Sequence, residues 1–512
     1  MSVVNSIINL FDSKRLHEID LFKRNPLETQ KEVLQNLLRK AKDTDFGKKY
    51  NFESITTEKE FMERVPLQCY EDFSIYVDRL KKGEKDILWP GEIKWFAKSS
   101  GTTNDKSKFI PVSKESLTDV HYKGFRDVLT IFLRNYPESK VFSGKILTLG
   151  GSHKINKLNS NSYYGDLSAI LLENAPLWSN HFKTPPPDIA LMEDFDEKVK
   201  KIIEYSIHEN VTAFAGVPSW YMVLLHRILE NTGKKNINEV WPNMELFIHG
   251  GINFCPYREQ YEKIIPSPHM KFMETYNASE GFFALQDEPE KTDMLLMLDY
   301  GIYYEFIPMD KTFNKNSKAI SLTDVEIGKN YAMVISTNGG LWRYILGDTI
   351  KFTSTLPFKI KITGRTKQFI NAFGEEIIVD NAEEALKAAC NQTNAAIYEY
   401  SAGPVFMGDH NKGAHEWIIE FNKKPDDESK FATVLDDTLK SLNSDYEAKR
   451  YKNITLDYPH VIVAPKGLFY EWMTLKKKTG GQNKVPRLSN SRKYLDELSD
   501  LIKKMHNAYR KT

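Results

Sequence analysis

Apolar positions along the chain alternate between helical spacing and short continuous runs, which predicts an α/β fold. An amphipathic helix is predicted after Pro26, from apolar residues at helical spacing: Val33, Leu34, Leu37, Leu38 and Ala41. Apolar runs that stop before glycine predict buried strands at Lys145–Leu149, Thr212–Ala215 and Glu245–Ile248. Helical patterns lie between these runs, at Leu191–Glu209 and Trp220–Asn231, so we expect largely parallel strands.

The pattern changes between residues 293 and 353. Consecutive strands are predicted at Met294–Leu298, Ile302–Ile307, Tyr331–Ile335 and Leu341–Ile345. A tight turn is predicted at Asn338-Gly339-Gly340, so this segment is expected to form an antiparallel or barrel-like subdomain. Helices at Asn381–Cys390 and Glu428–Leu442, with a strand at His415–Phe421, predict a small α+β domain after it. We therefore expect two domains, residues 1–363 and residues 364–512.

Composition and charge restrict the class of protein. The chain has 512 residues, of which 41% are hydrophobic and 27% charged, and a formal net charge of +1. These values are typical of a folded globular protein and give no electrostatic reason to bind nucleic acid or an anionic membrane. The cysteines Cys69, Cys255 and Cys390 lack metal-ligand spacing, and no apolar run is long enough to cross a bilayer. We expect a cytoplasmic protein that is a monomer or a weak dimer.

The stretch Ser99-Ser100-Gly101-Thr102-Thr103, followed by Lys108, is the sharpest chemical signal. Hydroxyl groups and successive backbone N–H groups around a glycine form a concave surface that binds phosphate. Lys108 adds a cation that phosphate oxygens accept. The order of residues differs from a Walker-type loop. A polar turn between two strands is the alternative interpretation.

Further polar clusters follow predicted strands, and ligands in open α/β sheets bind at the carboxyl ends of strands. Gly250-Gly251 would admit a flat base against the backbone. Tyr276 offers a ring for stacking on a purine, and Glu280 offers the oxygen ligand that Mg²⁺ prefers. Asp348 has the chemistry to accept both hydroxyls of a ribose. Each cluster also has an ordinary interpretation as a turn or a surface loop.

Two basic segments come later in the chain. Gly364–Gln368, at the expected domain boundary, is either a basic linker or a hinge whose charges face a nucleotide. Lys484, in the segment Gly480–Arg487, is either a solvated lysine or one that enters an active site when a lid closes.

Taken in order along the chain, these motifs resemble the adenylate-forming superfamily and, within it, the GH3 family of acyl acid–amido synthetases. The similarity covers nearly the whole chain, and its GH3-like stretches are Leu37–Gly47, Val65–Glu71, Ser99–Pro111, Tyr276–Glu280, Tyr344–Asp348 and Gln482–Arg487. One departure is Asn104-Asp105 after the threonine pair, where many superfamily members have glycine. The resemblance implies a large N-terminal adenylation domain with parallel and mixed sheets and a small mobile C-terminal domain.

The resemblance also implies residue roles. Binding of ATP or AMP is implied for Ser99, Ser100, Thr102, Thr103, Tyr276, Asp348, Arg365 and Lys367. We expect Gly101, Gly250, Gly251 and Asn277 to belong to the same nucleotide site. Glu280 resembles the Mg²⁺ ligand, Lys484 resembles the mobile lysine that reaches the α-phosphate, and Lys108 is expected to be a catalytic cation. Val217 and Pro218 are candidates for the acid pocket.

The implied activity is that of an ATP-dependent ligase with Mg²⁺ as cofactor. A carboxylic acid would attack the α-phosphate of ATP to give acyl-AMP and pyrophosphate. An amine, expected to be an amino acid, would then displace AMP and form an amide. An acyl-CoA synthetase with a thiol acceptor and a nucleotide-binding protein without turnover remain as alternatives. No particular acid is implied, because the acid pocket of the plant enzymes cannot be matched residue by residue.

Overall fold

The computed structural model describes residues 3–99, 108–149, 155–159, 161–192, 195–251, 254–309, 317–365, 369–370, 377–405, 413–443, 446–447, 450, 456–476, 484–489 and 491–509. The chain forms two compact units. The first contains the described residues up to Leu346 and those from Ile350 to Ile362. The second contains Gly347–Thr349 and the described residues from Thr363 onward.

Helices of the first unit cover much of its N-terminal half. The α-helices are α1 (Val3–Arg24), α2 (Pro26–Ala41), α3 (Asp45–Lys49), α4 (Glu58–Arg64), α5 (Tyr70–Lys81), α6 (Lys123–Asn135), α7 (Leu167–Glu173), α8 (Pro187–Ala190), α9 (Phe195–Ser206), α10 (Pro218–Thr232) and α11 (Cys255–Ile264). Short 3₁₀ turns cover Phe52–Ser54, Val141–Ser143, Leu177–Phe182, Ile237–Glu239 and Leu322–Asp324, and a π-helical segment covers Ser116–Tyr122. The first turn of α4 is fixed by a capping box, in which Thr57 and Glu60 each bind the other's backbone N–H.

The strands up to the end of the first unit are β1 (Trp95–Ser99), β2 (Lys108–Val112), β3 (Lys145–Thr148), β4 (Asn156–Lys157), β5 (Tyr163–Gly165), β6 (Lys183–Thr184), β7 (Val211–Gly216), β8 (Leu246–Gly250), β9 (Lys271–Ala278), β10 (Gly281–Leu285), β11 (Met294–Leu296), β12 (Ile302–Pro308), β13 (Asn330–Thr337), β14 (Tyr344–Thr355) and β15 (Phe358–Arg365). Among the described residues they form a four-stranded sheet, in the order β2-β1-β5-β4, and an 11-stranded sheet. The order in the larger sheet is β12-β13-β14-β15-β11-β10-β9-β8-β7-β3-β6.

The larger sheet is mixed. Strands β6, β3, β7, β8 and β9 pair in parallel. Strands β9, β10, β11 and β15 pair antiparallel, as do β12 and β13. The structure thus confirms the expected parallel strands and the antiparallel segment after residue 293. The antiparallel strands extend the same sheet as the parallel ones.

An aromatic cluster covers the parallel strands. Phe214 of β7 and Phe247 of β8 are register neighbours with ring centroids 4.3 Å apart, and Tyr221 and Tyr261 of the covering helices pack against them. Both tyrosines are fully buried, and their hydroxyls donate to the carbonyls of Leu147 and Pro218 respectively. Burial of side chains of this size contributes about 1.5–3 kcal/mol each. The carboxyl ends of β7 and β8 therefore lie on a rigid support.

The second unit is an α+β fold. Its elements are β16 (Phe369–Ile370), β17 (Ile377–Ile378), α12 (Val379–Thr393), β18 (Ala396–Val405), β19 (Ala414–Lys423), α13 (Glu428–Leu442), β20 (His460–Ala464), α14 (Leu468–Leu475) and α15 (Lys493–Tyr509). Strand β19 lies between β18, to which it runs antiparallel, and β20, to which it runs parallel. The sequence prediction of a small α+β domain is confirmed.

Two predicted elements differ from the structure. The strand expected at Leu341–Ile345 begins only at Tyr344, because Arg343 adopts a left-handed φ of 45°, which a strand does not accommodate. The helix expected at Leu191–Glu209 is present as α9 but is shorter, over Phe195–Ser206. Among the described residues, no helix is long and apolar enough to cross a membrane.

Candidate active site

The predicted phosphate loop joins the two strands of a hairpin. Strands β1 and β2 pair antiparallel, and Ser99 lies directly opposite Lys108. Ser100, Gly101, Thr102 and Thr103 lie outside the described residues. The hairpin thus brings the first serine of the motif and its lysine together, as a single binding loop requires.

Lys108 contacts two tyrosines of the first unit. Its Nζ lies 3.4 Å from the hydroxyl oxygen of Tyr344 and 5.7 Å from the centroid of the Tyr70 ring. The backbone N–H of Phe109 donates to the Tyr70 hydroxyl oxygen over 2.7 Å. The Lys108 ammonium group, from β2, therefore lies between a tyrosine of α5 and a tyrosine of β14.

Glu280 belongs to the same neighbourhood. It lies in the two-residue turn between β9 and β10. Burial raises the pKa of Tyr344 well above its usual value, and the negative charge of Glu280 raises it further. Tyr344 is thus a neutral phenol close to both a cation, Lys108, and an anion, Glu280.

Buried charges hold the backbone before Tyr344. The Arg343 guanidinium forms an ion pair with Glu305 at 2.7 Å and donates to the carbonyls of Met62 and Val65. The side chains of Arg343 and Glu305 are 6% and 1% exposed, so a single carboxylate balances this cation away from water. Burial raises the pKa of Glu305, whereas Arg343 opposes that rise. These contacts fix the unusual backbone conformation that precedes Tyr344.

Three parallel strands end at one edge of the large sheet. Gly216, His249 and Glu274 are register neighbours on β7, β8 and β9. The residues that follow this row include candidate ligand-binding positions predicted from sequence: Val217, Pro218, Gly250, Gly251, Tyr276 and Asn277. The structure therefore brings these candidates to a common edge, where open α/β sheets bind ligands.

Local packing and backbone conformation also explain the residue types at several of these positions. A Cβ on Gly250 would lie 2.5 Å from the carbonyl oxygen of Thr275, and Gly251 has a φ of +83°. Tyr276 is buried, with its ring centroid 4.9 Å from that of Phe283, whereas Asn277 is exposed. Pro218 begins α10 and is buried. Gly250 thus allows the close approach of β9, and Gly251 allows the left-handed turn that follows β8.

Two titratable side chains lie under this edge. Burial lowers the pKa of His249 to about 3, and the charge of Arg258 lowers it further. Burial raises the pKa of Glu274 to about 7, against the opposing charges of Lys361 and Arg258. The imidazole of His249 stacks on Phe254 with ring centroids 4.0 Å apart. His249 is therefore neutral at physiological pH, while Glu274 titrates there.

Four candidates belong to the second unit. Asp348 is 7% exposed, and the hydroxyl groups of its neighbour Thr349 and of Thr363 lie 2.9 Å apart. Arg365 ends β15, and Lys367 lies outside the described residues. The side chain of Lys484 is exposed.

A magnesium ion would need ligands from outside the protein as well. The described residues contain no group of three or more histidine, cysteine, aspartate or glutamate side chains that could hold a metal ion. Mg²⁺ in nucleotide sites is commonly held by one or two carboxylates together with phosphate oxygens and water. Glu280 is the carboxylate that the sequence analysis predicts for this role.

Sequence reasoning gave no role to Tyr70 or Tyr344, although both lie in stretches that resemble the GH3 family. Their positions within Val65–Glu71 and Tyr344–Asp348 could have marked them as candidate site residues. The Arg343–Glu305 ion pair had no such signal, because Glu305 lies on β12 and Arg343 precedes β14, 38 positions further along the chain.

Solved structures show which fold this chain has. The chain superimposes on the GH3.15 acyl acid amido synthetase in complex with 2,4-DB with a TM-score of 0.79, at 17% identity over 96% of each chain. A 2-hydroxyisobutyryl-CoA ligase in complex with 2-HIB-AMP gives a TM-score of 0.59 at 13% identity, over 93% of this chain and 91% of the ligase. The fold is that of the adenylate-forming ligases.

Family models identify the family. The GH3 family N-terminal domain matches residues 15–270, the central domain residues 295–365 and the C-terminal domain residues 380–493. The chain belongs to the GH3 family, as its motifs predicted.

Curated relatives agree with this result. The indole-3-acetic acid-amido synthetase GH3.3 of Arabidopsis thaliana is 22% identical over 97% of this chain and 95% of its own length. The jasmonoyl-L-amino acid synthetase JAR4 of Nicotiana attenuata is 22% identical over 69% of this chain and 71% of its own length.

Proposed function

We propose that this protein is an ATP-dependent ligase that joins a carboxylic acid to an amine, with an amino acid as the acceptor. The observation that carries the proposal is the convergence of Lys108, Tyr344 and Glu280 beside the β1–β2 hairpin, in a chain of the GH3 family. A cation, a neutral phenol and a carboxylate next to a candidate phosphate loop suit a bound nucleotide.

The first half-reaction would bring two anions together. One carboxylate oxygen of the acid attacks the α-phosphorus of ATP, and the bond from that phosphorus to pyrophosphate breaks. Lys108 and Lys484 would stabilise the negative charge that accumulates in this transition state. The Tyr344 hydroxyl, 3.4 Å from the Lys108 ammonium, would hold that ammonium in place. Magnesium, held by Glu280, would supply further neutralisation of phosphate charge.

The second half-reaction would form the amide. The amine nitrogen attacks the carbonyl carbon of the acyl-adenylate, the bond to the bridging oxygen breaks, and AMP leaves with that oxygen. We propose that residues 1–363 bind ATP and the acid, and that residues 364–512 form a lid that changes position between the half-reactions. Such a change excludes water from an intermediate that hydrolyses readily.

The proposed nucleotide contacts are spread along the chain. The hairpin residues Ser99, Ser100, Gly101, Thr102 and Thr103 would bind phosphate, and Asp348 would bind ribose. Tyr276, Asn277, Gly250 and Gly251 would border the base, with Arg365 and Lys367 contributing charge. Val217 and Pro218, at the same sheet edge, would border the acid.

The related enzymes suggest which acids to test. The names of curated relatives specify indole-3-acetic acid and jasmonic acid, and a related synthetase binds 2,4-DB. None of these acids is assigned to this chain, because the pocket residues cannot be matched to theirs. We propose a cytoplasmic location, since ATP is present there and the scattered cysteines suit a reducing compartment.

ATP–pyrophosphate exchange tests the proposal directly. The purified protein would be assayed with Mg²⁺ and a panel containing indole-3-acetate, jasmonate, 2,4-DB, benzoate and straight-chain fatty acids. We expect exchange that depends on at least one acid, followed by an amide mass when mixed amino acids are added. Formation of a thioester with CoA and no amide would favour the acyl-CoA synthetase alternative. Absence of exchange with every acid would contradict the proposal.

A further inference from the structure

The segment that begins at Lys484 is attached to β18 by its main chain. The backbone N–H of Ala402 donates to the Arg487 carbonyl over 2.8 Å, and the N–H of Ser489 donates to the Ala402 carbonyl over 3.0 Å. Ala402 and Leu488 form a parallel bridge. The Ser401 hydroxyl donates to the Pro486 carbonyl over 2.7 Å. The chain thus runs as an added edge along β18 immediately after Lys484.

Arg487 fixes this edge through its side chain. Its Nη1 donates to Glu383 Oε1 of α12 over 2.7 Å, and its Nε lies 3.2 Å from Glu399 Oε1 of β18. Its guanidinium carbon lies 4.7 Å from the centroid of the Tyr400 ring, and the Tyr400 hydroxyl also donates to Glu383. The Arg487 side chain is 13% exposed. One guanidinium therefore joins a helix, a strand and the Lys484 segment.

The charges make this contact sensitive to substitution. Glu383 and Glu399 are 7% and 14% exposed, and burial raises the pKa of Glu399 while Arg487 opposes that rise. Removal of the guanidinium would leave two poorly solvated carboxylates facing each other. A lysine at position 487 would keep the positive charge but lose the planar guanidinium, whose N–H groups reach both carboxylates.

We propose that Arg487 is a positioning residue for Lys484. Only two residues lie between them, a span of at most about 10 Å of chain, so the anchor at Arg487 limits where Lys484 can reach. A lysine that stabilises charge at the α-phosphate must be held to within about 1 Å, since displacements of that size cost about 100-fold in rate. This inference rests on the proposed function, in which Lys484 serves only the adenylation half-reaction.

Arg450 provides a matched control in the same unit. It forms an ion pair with Asp436 at 2.7 Å and lies 5.6 Å from the Tyr458 ring, and its side chain is 5% exposed. It makes the same kinds of contact as Arg487, but its partners Asp436 and Tyr458 lie outside the Lys484 segment. Arg450→Met therefore reports the general cost of losing a buried arginine.

The test compares half-reactions. With the acid that gives the fastest exchange in the panel above, we expect Arg487→Met to lower kcat of ATP–pyrophosphate exchange about 10- to 100-fold. Aminolysis of the supplied synthetic acyl-adenylate should stay within about twofold of wild type, because Lys484 is not used there. The exchange rate of Arg487→Lys should lie between those of wild type and Arg487→Met. The control Arg450→Met should change the rates of both half-reactions by the same factor. Equal loss in both half-reactions for Arg487→Met would overturn the proposal.

A double variant sharpens the result. If Arg487 acts through Lys484, adding Arg487→Met to Lys484→Ala should not lower exchange further. Independent, additive losses would overturn the proposal.

Hydrogen exchange tests the anchor without any activity. In Arg487→Met, the amides of Ala402 and Ser489 should exchange at least about tenfold faster than in wild type, and in Arg450→Met they should not. Unchanged protection in Arg487→Met would overturn the anchoring role even if the protein adenylates an acid. Faster exchange of these amides in a protein that adenylates none of the acids would support the anchor and contradict the proposed function instead.

Discussion

Lys108 Nζ lies 3.4 Å from the hydroxyl oxygen of Tyr344, although 236 residues separate them. The contact joins the hairpin that carries the candidate phosphate loop to the start of β14, just after the Arg343–Glu305 ion pair. Because Tyr344 is fully buried, the phenol provides a fixed point for a flexible lysine side chain.

Removal of the Lys108 ammonium should slow adenylation. We expect Lys108→Met to lower kcat/KM for ATP in pyrophosphate exchange about 100-fold, in the range seen when one preorganised electrostatic group is lost. Tyr344→Phe should have a smaller effect, since it releases the lysine without removing its charge. Lys98→Met, at the adjacent register position of the same hairpin, is the control and should stay near wild type. Normal exchange by Lys108→Met would contradict the role.

Loss of the Glu280 charge should raise the magnesium requirement. Glu280→Gln keeps the size of the side chain but offers Mg²⁺ a weaker ligand, so the Mg²⁺ concentration for half-maximal exchange should rise about tenfold. Glu262→Gln, which changes an exposed carboxylate on α11, serves as the control. A Mg²⁺ titration that superimposes on the wild-type curve would count against Glu280 as the metal ligand.

The Arg343–Glu305 pair should dominate local stability. Arg343→Met leaves the buried Glu305 carboxylate uncompensated, which costs about 3–5 kcal/mol in comparable cases. The double variant Arg343→Met/Glu305→Met should recover part of this loss, because no buried charge remains. Urea unfolding of both variants and of wild type measures the difference. A double variant less stable than Arg343→Met would show that the pair does not act through its charge.

Glu274 should make stability depend on pH. Its folded pKa of about 7 exceeds its usual value of 4.5, so the folded protein holds this proton more tightly than the unfolded chain. The contribution of Glu274 to the free energy of unfolding is therefore fully present below about pH 4.5 and is lost as the pH rises to about 7. The loss is at most about 3.5 kcal/mol, since each pKa unit corresponds to about 1.4 kcal/mol. Glu274→Gln should raise the melting temperature relative to wild type more at pH 8 than at pH 5, and an equal change at both values would contradict the shift.

Local sequence patterns predicted most of the elements near the site. Apolar runs before glycine located β3, β7 and β8, because buried strands that end at tight turns leave that pattern. The prediction ended α9 too late, and it missed β15 because alternating Lys and Ile residues in Phe358–Arg365 do not form a continuous apolar run.

Long-range side-chain contacts were not predictable in the same way. Residue identity marked Lys108, Glu280 and Lys484 as candidates, but nothing local to Lys108 indicated Tyr344 as its partner. The left-handed φ of Arg343 depends on Glu305 and on two carbonyls from the α4 region, so the strand start was misplaced by three residues. Arg487 lay within a recognised stretch, yet its role depends on Glu383 and Glu399, about 100 residues earlier.

The transfer of oxygen from acid to AMP tests the central claim most directly. The acid that supports exchange would be supplied with ¹⁸O in both carboxylate oxygens, together with ATP, Mg²⁺ and an amino acid. Attack on the α-phosphorus followed by aminolysis predicts that each AMP carries one ¹⁸O and that pyrophosphate carries none. AMP without ¹⁸O, or ¹⁸O recovered in released phosphate, would contradict an acyl-adenylate intermediate.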